Sequence, residues 1–348
     1  MVIKKADELR EITIKVIMRA GADERNANRL TEALISSNLC GVDTHGVFML
    51  PFYVDSIKAG ELDPRAWPEI IKETPNSALV KGNWAFGHVT AKYAMEVAIE
   101  KVKENGMSIV GGVQVMHTGR LGEYVEMAAK ENIISMMWTG GYGEEKPAAV
   151  PYGGAKTVLH TNPFSMGFPA GSEPPMISDF ATSVVSGVKV IFARDKKEQL
   201  PQGCIVDKEG KPTCDPNDFY NGGGHIPFGG YKGYALMLAN EFLGRIFVGS
   251  DLFIEENRKH PVLRHSGFTI IAFKSDLFNS FEDYSSRMDE IENRIRAVPP
   301  APGFKEVLIP GDLERRTREE RIKNGIPIPD NIWESIIQSA KSLGIDKV

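Results

Sequence analysis

Apolar residues near the start of the chain recur at helical spacing. Leu9, Ile12, Val16 and Ile17 share one face, which predicts an amphipathic helix ending near Ala20 and Gly21. Asp23 stands where a cap accepts from free amides, and Ala27, Leu30 and Leu34 make the inner face of a second helix reaching about Asn38. After a polar turn, "FMLPFYVDSIKAG" predicts a third helix stopped by Gly60.

The pattern changes after Pro64. "PEIIKET" and "SALVKG" read as strands around the turn Pro75-Asn76, and "VTAKYAMEVAIEKVKEN" as a long helix closed by Asn105-Gly106. "MSIVGGVQV", "RLGEYVEMAAKEN" and "IISMMWT" then alternate strand, helix, strand, the signature of α/β architecture. "FSMGFPAG" and "PMISDFATS" predict two more strands. "SVVSGVKVIFAR" predicts a helix entered at Thr182-Ser183, and residues 200–230 a long ordered loop. "YKGYALMLANEFLGRIF" reads as a buried helix, "FTIIAF" as a strand and "FEDYSSRMDEIENRIRAV" as an exposed helix. The tail is helical again, with Asp330 as a cap.

Composition changes this picture little. A net charge of -5 argues against a general nucleic-acid binder. The basic cluster "ERRTREERIK" is interleaved with Glu314, Glu319 and Glu320, a solvated helix with internal ion pairs. Cys40, Cys204 and Cys214 lie far apart without a Cys-x-x-Cys, so a reducing cytoplasm is expected rather than a disulfide framework. The charged start is no signal peptide, and no apolar run is long enough to span a membrane.

Standard catalytic templates are absent: no Gly-x-Gly-x-x-Gly follows a strand, and no Walker loop, His-Glu-x-x-His or Gly-x-Ser-x-Gly occurs. The seven histidines (His45, His88, His117, His160, His225, His260 and His265) show no metal-ligand spacing, so no metal is expected. His45 sits in a tight corner between Gly41 and Gly46. His117 follows a strand and precedes a helix, where α/β sheets gather ligands, and the amides of Thr118, Gly119 and Arg120 would favour an anion there. Asp179 ends an apolar strand and needs a partner, either as a helix cap or in orienting an imidazole. Lys232 stands among Gly229, Gly230 and Gly233, and Thr161-Asn162 before Pro163 forms a turn with free polar side chains.

Seven stretches in order, "GVDTHGVFMLPFYVDSIKAGEL", "HTGRLGEYVEMAA", "PYGGAKTVLHTNPFSMGFPAG", "SDFATSVVSGVKV", "LPQGCIVDKEGKPTCDP", "GGYKGYALML" and "LIPGDLERRTREERIKNGIPI", resemble the malate/L-lactate dehydrogenase family. The resemblance implies an α/β (α+β), sulfolactate dehydrogenase-like fold, not a Rossmann fold. A mixed-sheet cofactor domain over about 76–279 would sit against a helical domain from 1–75 and about 280–348. It implies an oxidoreductase interconverting a 2-hydroxy acid and a 2-oxo acid with NAD or NADP, typically a cytoplasmic homodimer with sites near the subunit interface. Carried over by position, His45, His117 and Asp179 are the expected catalytic residues. Gly119, Arg120, Leu121, Ile177, Ser178, Asp179, Phe180, Ala181, Thr182, Tyr231, Lys232, Gly311, Asp312, Leu313 and Glu314 are expected at the cofactor, and His45, Tyr53, Arg120, Thr161 and Asn162 at the substrate.

One departure stands out. Many members carry an arginine four residues after the corner histidine, where this chain has Met49, a feature that resembles the hydroxycarboxylate dehydrogenase branch. Arg120 or Lys232 is then the expected source of positive charge for the substrate carboxylate. Reduction of cyclic imino acids and a non-catalytic nucleotide-binding role are the alternative readings.

Overall fold

The computed structural model describes residues 1–144, 146–255 and 263–346; His260 lies outside them. In chain order the elements begin with β1 (Val2–Lys4), α1 (Ala6–Arg19), α2 (Glu24–Leu39) and α3 (Leu50–Lys58). There follow β2 (Glu69–Thr74), β3 (Ser77–Lys81), α4 (Gly87–Asn105), β4 (Met107–Val113), α5 (Gly122–Ala129) and β5 (Ile133–Gly140). The middle holds β6 (Phe164–Phe168), β7 (Met176–Phe180), α6 (Gly187–Lys196), β8 (Ile205–Val206), β9 (Pro212–Thr213), α7 (Pro216–Tyr220), β10 (Gly224–His225) and α8 (Tyr231–Glu241). The chain closes with β11 (Gly267–Lys274), α9 (Phe281–Arg296), α10 (Asp312–Asn324), β12 (Ile326–Ile328) and α11 (Asp330–Ser342).

The main sheet has the order β2-β3-β4-β11-β5-β6-β7. Only β3 and β4 run parallel within it, joined by α4 as a single crossover. Every other neighbouring pair is antiparallel. This is a mixed α/β fold, and it lacks the parallel sheet of a Rossmann domain. Its core is packed by Ala91, Met95 and Ala98 of α4 and Tyr124 and Val125 of α5 against Val110, Phe268 and Ile270 of the sheet.

A second core joins the two ends of the chain. Leu9, Val16, Leu30, Leu34, Leu50 and Tyr53 pack with Ile326, Ile328, Ile336 and Ala340. β1 pairs antiparallel with β12, Val2 opposite Ile328, a strand that helical spacing from Leu9 onward did not predict. Trp84, Phe86 and Val89 at the start of α4 enter the same core, so this layer is fixed to the sheet. By contrast α9 docks elsewhere: its Asp289 accepts from the amides of Gly171 and Ser172 at 2.9 and 2.7 Å.

Four other local expectations are corrected. α6 begins at Gly187 rather than at Thr182-Ser183, because the amides of Thr182 and Val184 bond in extended form to the carbonyls of Thr161 and Ile226. The 200–230 segment is no bare loop; β10, β8 and β9 form a small sheet beside α7. The helix predicted as buried runs from α8 into a π-helical turn over Phe242–Phe247 and leaves Tyr231, Phe242, Ile246 and Phe247 largely exposed. Asp330 is the first residue of α11 rather than its cap, and its carboxylate accepts from the amino group of Met1 at 2.6 Å. Among the described residues no helix is long and apolar enough to cross a membrane.

Candidate active site

The His45 corner consists of two single turns of tight helix, Asp43–His45 and Val47–Met49, between α2 and α3. Asn38, at the end of α2, organises it: its Oδ1 accepts from the Val47 amide at 2.8 Å and its Nδ2 donates to Asp43 at 2.7 Å. Gly46 is required by that packing, since a Cβ there would overlap the Asn38 side chain. Gly41, at φ +78°, is the left-handed residue just past α2. Asp43 also receives two bonds from Arg321 of α10, at 2.6 and 3.0 Å. The basic helix is thus more than solvated surface, because it braces the corner.

His45 lies against a second imidazole. Its ring stacks on His117 with centroids 5.4 Å apart and planes within 13°. Each Nδ1 is held from behind, His45 by Thr44 Oγ1 at 2.9 Å and His117 by the Tyr53 hydroxyl at 2.8 Å. Burial, then the Arg120 charge, pulls the His45 pKa down to about 4. Burial, then His45 and His160, takes His117 to about 3. Both rings are therefore neutral near pH 7. Behind them His88, fully buried, has no hydrogen-bond partner at either nitrogen and stands edge-on to His117 at 6.1 Å.

Arg120 precedes α5 and is 5% exposed. Its Nη2 reaches Glu126 at only 3.4 Å, and its buried Nε has no partner. Asp179 lies beside it, and its carboxylate accepts from the Gly122 amide at 2.7 Å. Burial raises the Asp179 pKa against the opposing pull of Arg120 and that amide. Asp179 is therefore a cap on α5, and no imidazole is among its hydrogen-bond partners in the described residues. The first amide of α5, that of Gly122, is thus met by the chain's own carboxylate.

His45, His117, Arg120 and Asp179 face one cavity of about 1340 Å³. Of the residues singled out from sequence, it brings together His45, His117, Gly119, Arg120, Leu121, Thr161, Ile177, Asp179, Phe180, Ala181, Gly311, Asp312 and Glu314. Met49 also lines it.

Seven expected residues stand off its wall. Ser178, between Ile177 and Asp179 on β7, is not among the lining residues, and its backbone carbonyl accepts from the Ser165 hydroxyl. Thr182 gives its hydroxyl to the carbonyls of Thr161 and Asn162. Asn162 is fully buried, its amide donating to Met237 and Glu241. Tyr53 stands behind His117 rather than in contact with the cavity. Leu313 is exposed on α10, and Tyr231 and Lys232 lie exposed at the start of α8. Asp312 reaches the wall, but its carboxylate is committed to Arg296, Arg315 and the Ile309 amide. Burial would raise its pKa, and those donors prevail to hold it at about 2.

Sequence reasoning missed His160, His225, Lys189 and Arg318, all on the cavity wall. His160 directly precedes the flagged Thr161-Asn162 turn, the one available signal for it. Arg318 extends from the basic helix to Ser36 and Cys40, at 2.9 and 3.3 Å.

A mixed sheet of this order, bearing a cavity with two neutral imidazoles and a buried guanidinium, is built without the Rossmann plan, and the relatives that share it are dehydrogenases. The chain belongs to the malate/L-lactate dehydrogenase family, whose profile matches residues 4–337. It is 33% identical to the L-sulfolactate dehydrogenase of Methanocaldococcus jannaschii, over 99% of this chain and 98% of that protein. Hydroxycarboxylate dehydrogenase B of Escherichia coli K12 is 31% identical, with 98% and 94% covered. The solved structure of the sulfolactate dehydrogenase from Methanocaldococcus jannaschii superposes with a TM-score of 0.88 at 32% identity, covering 99% and 98% of the two chains.

Proposed function

We propose that this protein is an NAD(P)-dependent dehydrogenase that interconverts a 2-hydroxy acid and its 2-oxo acid, with His45 as the principal proton donor and acceptor. The observation that carries the reading is the stacked pair His45 and His117 beside the under-partnered Arg120 on one cavity wall.

The residues present fit a dinucleotide. The cavity exceeds the roughly 300–1,000 Å³ that a drug-sized ligand fills. Gly119 and Gly311, both at positive φ, line its wall beside Ile177, Phe180 and Ala181, the first packed on His88 and the second on Ile177. When bound, a nicotinamide cofactor supplies or takes up the hydride.

The chain's own residues do the rest. Arg120 offers its free Nε–H to the substrate carboxylate, a charge-assisted bond that takes over the task of the arginine replaced by Met49. In oxidation, His45 accepts the substrate hydroxyl proton at Nε2 while its Nδ1–H donates to Thr44; in reduction it returns that proton. Burial keeps the Tyr53 phenol protonated, which lets its hydroxyl donate to His117 Nδ1; in this reading the ring takes that tautomer, with the proton on Nε2. His117 then serves as a neutral donor to the substrate oxygen. Asp179 positions α5 and Arg120.

The chain works as a homodimer in this reading, with the exposed Tyr231, Lys232, Phe242, Ile246 and Phe247 turned toward a second copy. The test is a matrix of NADH and NADPH against 2-oxo acids and cyclic imino acids. Cofactor oxidation with open-chain oxo acids supports the reading. Turnover of cyclic imines alone would assign an imine reductase, and cofactor binding without any turnover would refute catalysis.

A further inference from the structure

Away from the stacked pair, the cavity wall carries a histidine with nothing to bind. His225 is 1% exposed, lines the cavity, and has no hydrogen-bond partner at Nδ1 or Nε2. Its backbone is locked, the amide donating to Ala148 at 2.8 Å and the carbonyl accepting from Val150 at 3.0 Å. The Phe219 ring packs on its face at 4.6 Å. Burying an unsatisfied polar ring is costly, so a ring held this firmly calls for a partner that the described residues do not supply.

Its Nε2 points to the start of α6. A Cβ on Gly187 would stand 3.8 Å from that nitrogen. Ser186 caps the ten-residue helix without a side-chain hydrogen bond, so its hydroxyl and the first amides are open. Lys189, one turn in, lines the same cavity and is exposed. Helix dipole, free amides, a hydroxyl, an ammonium and an imidazole N–H share one stretch of wall where, among the described residues, no carboxylate is bonded to them. His160 links this end to the reaction centre, since its charge would oppose protonation of both His117 and His225.

We propose that Ser186, Gly187, Lys189 and His225 form an oxyanion subsite, holding a carboxylate, sulfonate or phosphate group of a molecule whose reacting end lies at His45 and His117. The site takes either the second acid group of a diacidic 2-oxo acid or a phosphate of the cofactor. The assignment of its role rests on the dehydrogenase reading; the anion site itself does not.

Two measurements test it separately. In the cofactor-free protein, inorganic phosphate or sulfate shifts the His225 imidazole nitrogen resonances, and the shift is lost in Lys189→Met. An unmoved His225 at saturating anion overturns the subsite, whether or not the enzyme turns over. In steady state, His225→Leu and Lys189→Met raise KM for a diacid such as oxaloacetate about tenfold more than for pyruvate if the substrate supplies the anion. They weaken NADH or NADPH binding by a similar factor instead if the cofactor does. Lys189 is on the surface, so its variant folds even where the His225 variant does not. Equal effects on every ligand, or none, overturn the proposal. A phosphate-dependent shift in a protein that consumes no cofactor would retain the subsite and remove the dehydrogenase reading.

Discussion

Arg321, near the end of the chain, holds Asp43, two residues before His45, through two charge-assisted hydrogen bonds at 2.6 and 3.0 Å. The same guanidinium donates to the Asn38 carbonyl at 2.5 Å. One side chain from α10 thus ties the end of α2 to the turn that presents the histidine. Arg321→Ala should leave the fold intact and lower kcat by about tenfold to a hundredfold, because small misplacement of a reacting group is costly. Unchanged kcat with intact circular dichroism would show that Asn38 alone suffices.

Replacing the two imidazoles separates their roles. His45→Ala should lower kcat by roughly 10² to 10⁴, the range of general acid–base catalysis. His117→Ala, which removes a hydrogen-bond donor rather than the proton carrier, should cost less. A greater loss in the His117 variant would exchange the assignments. Tyr53→Phe should resemble a mild His117 variant, with a changed pH profile and little change in KM.

Arg120→Ala should raise KM for the oxo acid about tenfold or more while leaving the fold in place. The Nε without a partner is the basis of this expectation. Unchanged KM for both cofactor and oxo acid would remove Arg120 from the carboxylate site. Lys232, which stands outside the cavity of its own chain, is no substitute within one copy.

The histidine pKa values set two pH dependences. With His45 depressed to about 4, the acidic limb of kcat/KM for hydroxy-acid oxidation should fall near pH 4 rather than near 6.5. Stability follows the same sign. His45 and His160 at about 4, and His117 and His225 at about 3, bind protons more readily unfolded than folded. Their contribution is full above pH 6.5 and is lost as pH falls through about 4 to 3. Denaturant midpoints should drop from pH 7 to pH 4.5, and a flat profile would contradict the burial of these rings.

The exposed apolar turn after α8 gives a test of assembly. Ile246→Glu and Phe247→Glu, each at a residue about three-fifths exposed in one chain, should shift sedimentation from dimer to monomer. A wild-type monomer at micromolar concentration would refute the dimer.

Periodicity alone was enough to locate α1, α2, α4, β4, α5, β5 and β11, because each buries a regular stripe or face against one neighbour. It was not enough for β1, whose three residues pair with β12, more than three hundred residues along the chain. Nor was it enough for α6, whose first turn is pulled straight by the backbone of Thr161 and Ile226. His45, His117 and Asp179 were legible as unusual residues at bends and strand ends. Their partners were not: which helix Asp179 caps, and that Tyr53 bonds to His117 Nδ1, only the packing shows. Nor could a motif show that the Asn162 side chain is spent on Met237 and Glu241, since adjacency in sequence says nothing of which buried carbonyl or carboxylate a side chain meets. By itself the sequence determined most of the long elements, the family and which residue types stand at bends and strand ends, because those depend on local spacing. Only the tertiary structure decided that His45 and His117 stack, that Arg120 keeps a free donor and that His225 faces the start of α6. Those relations join segments distant along the chain, and they exist only once both cores have closed.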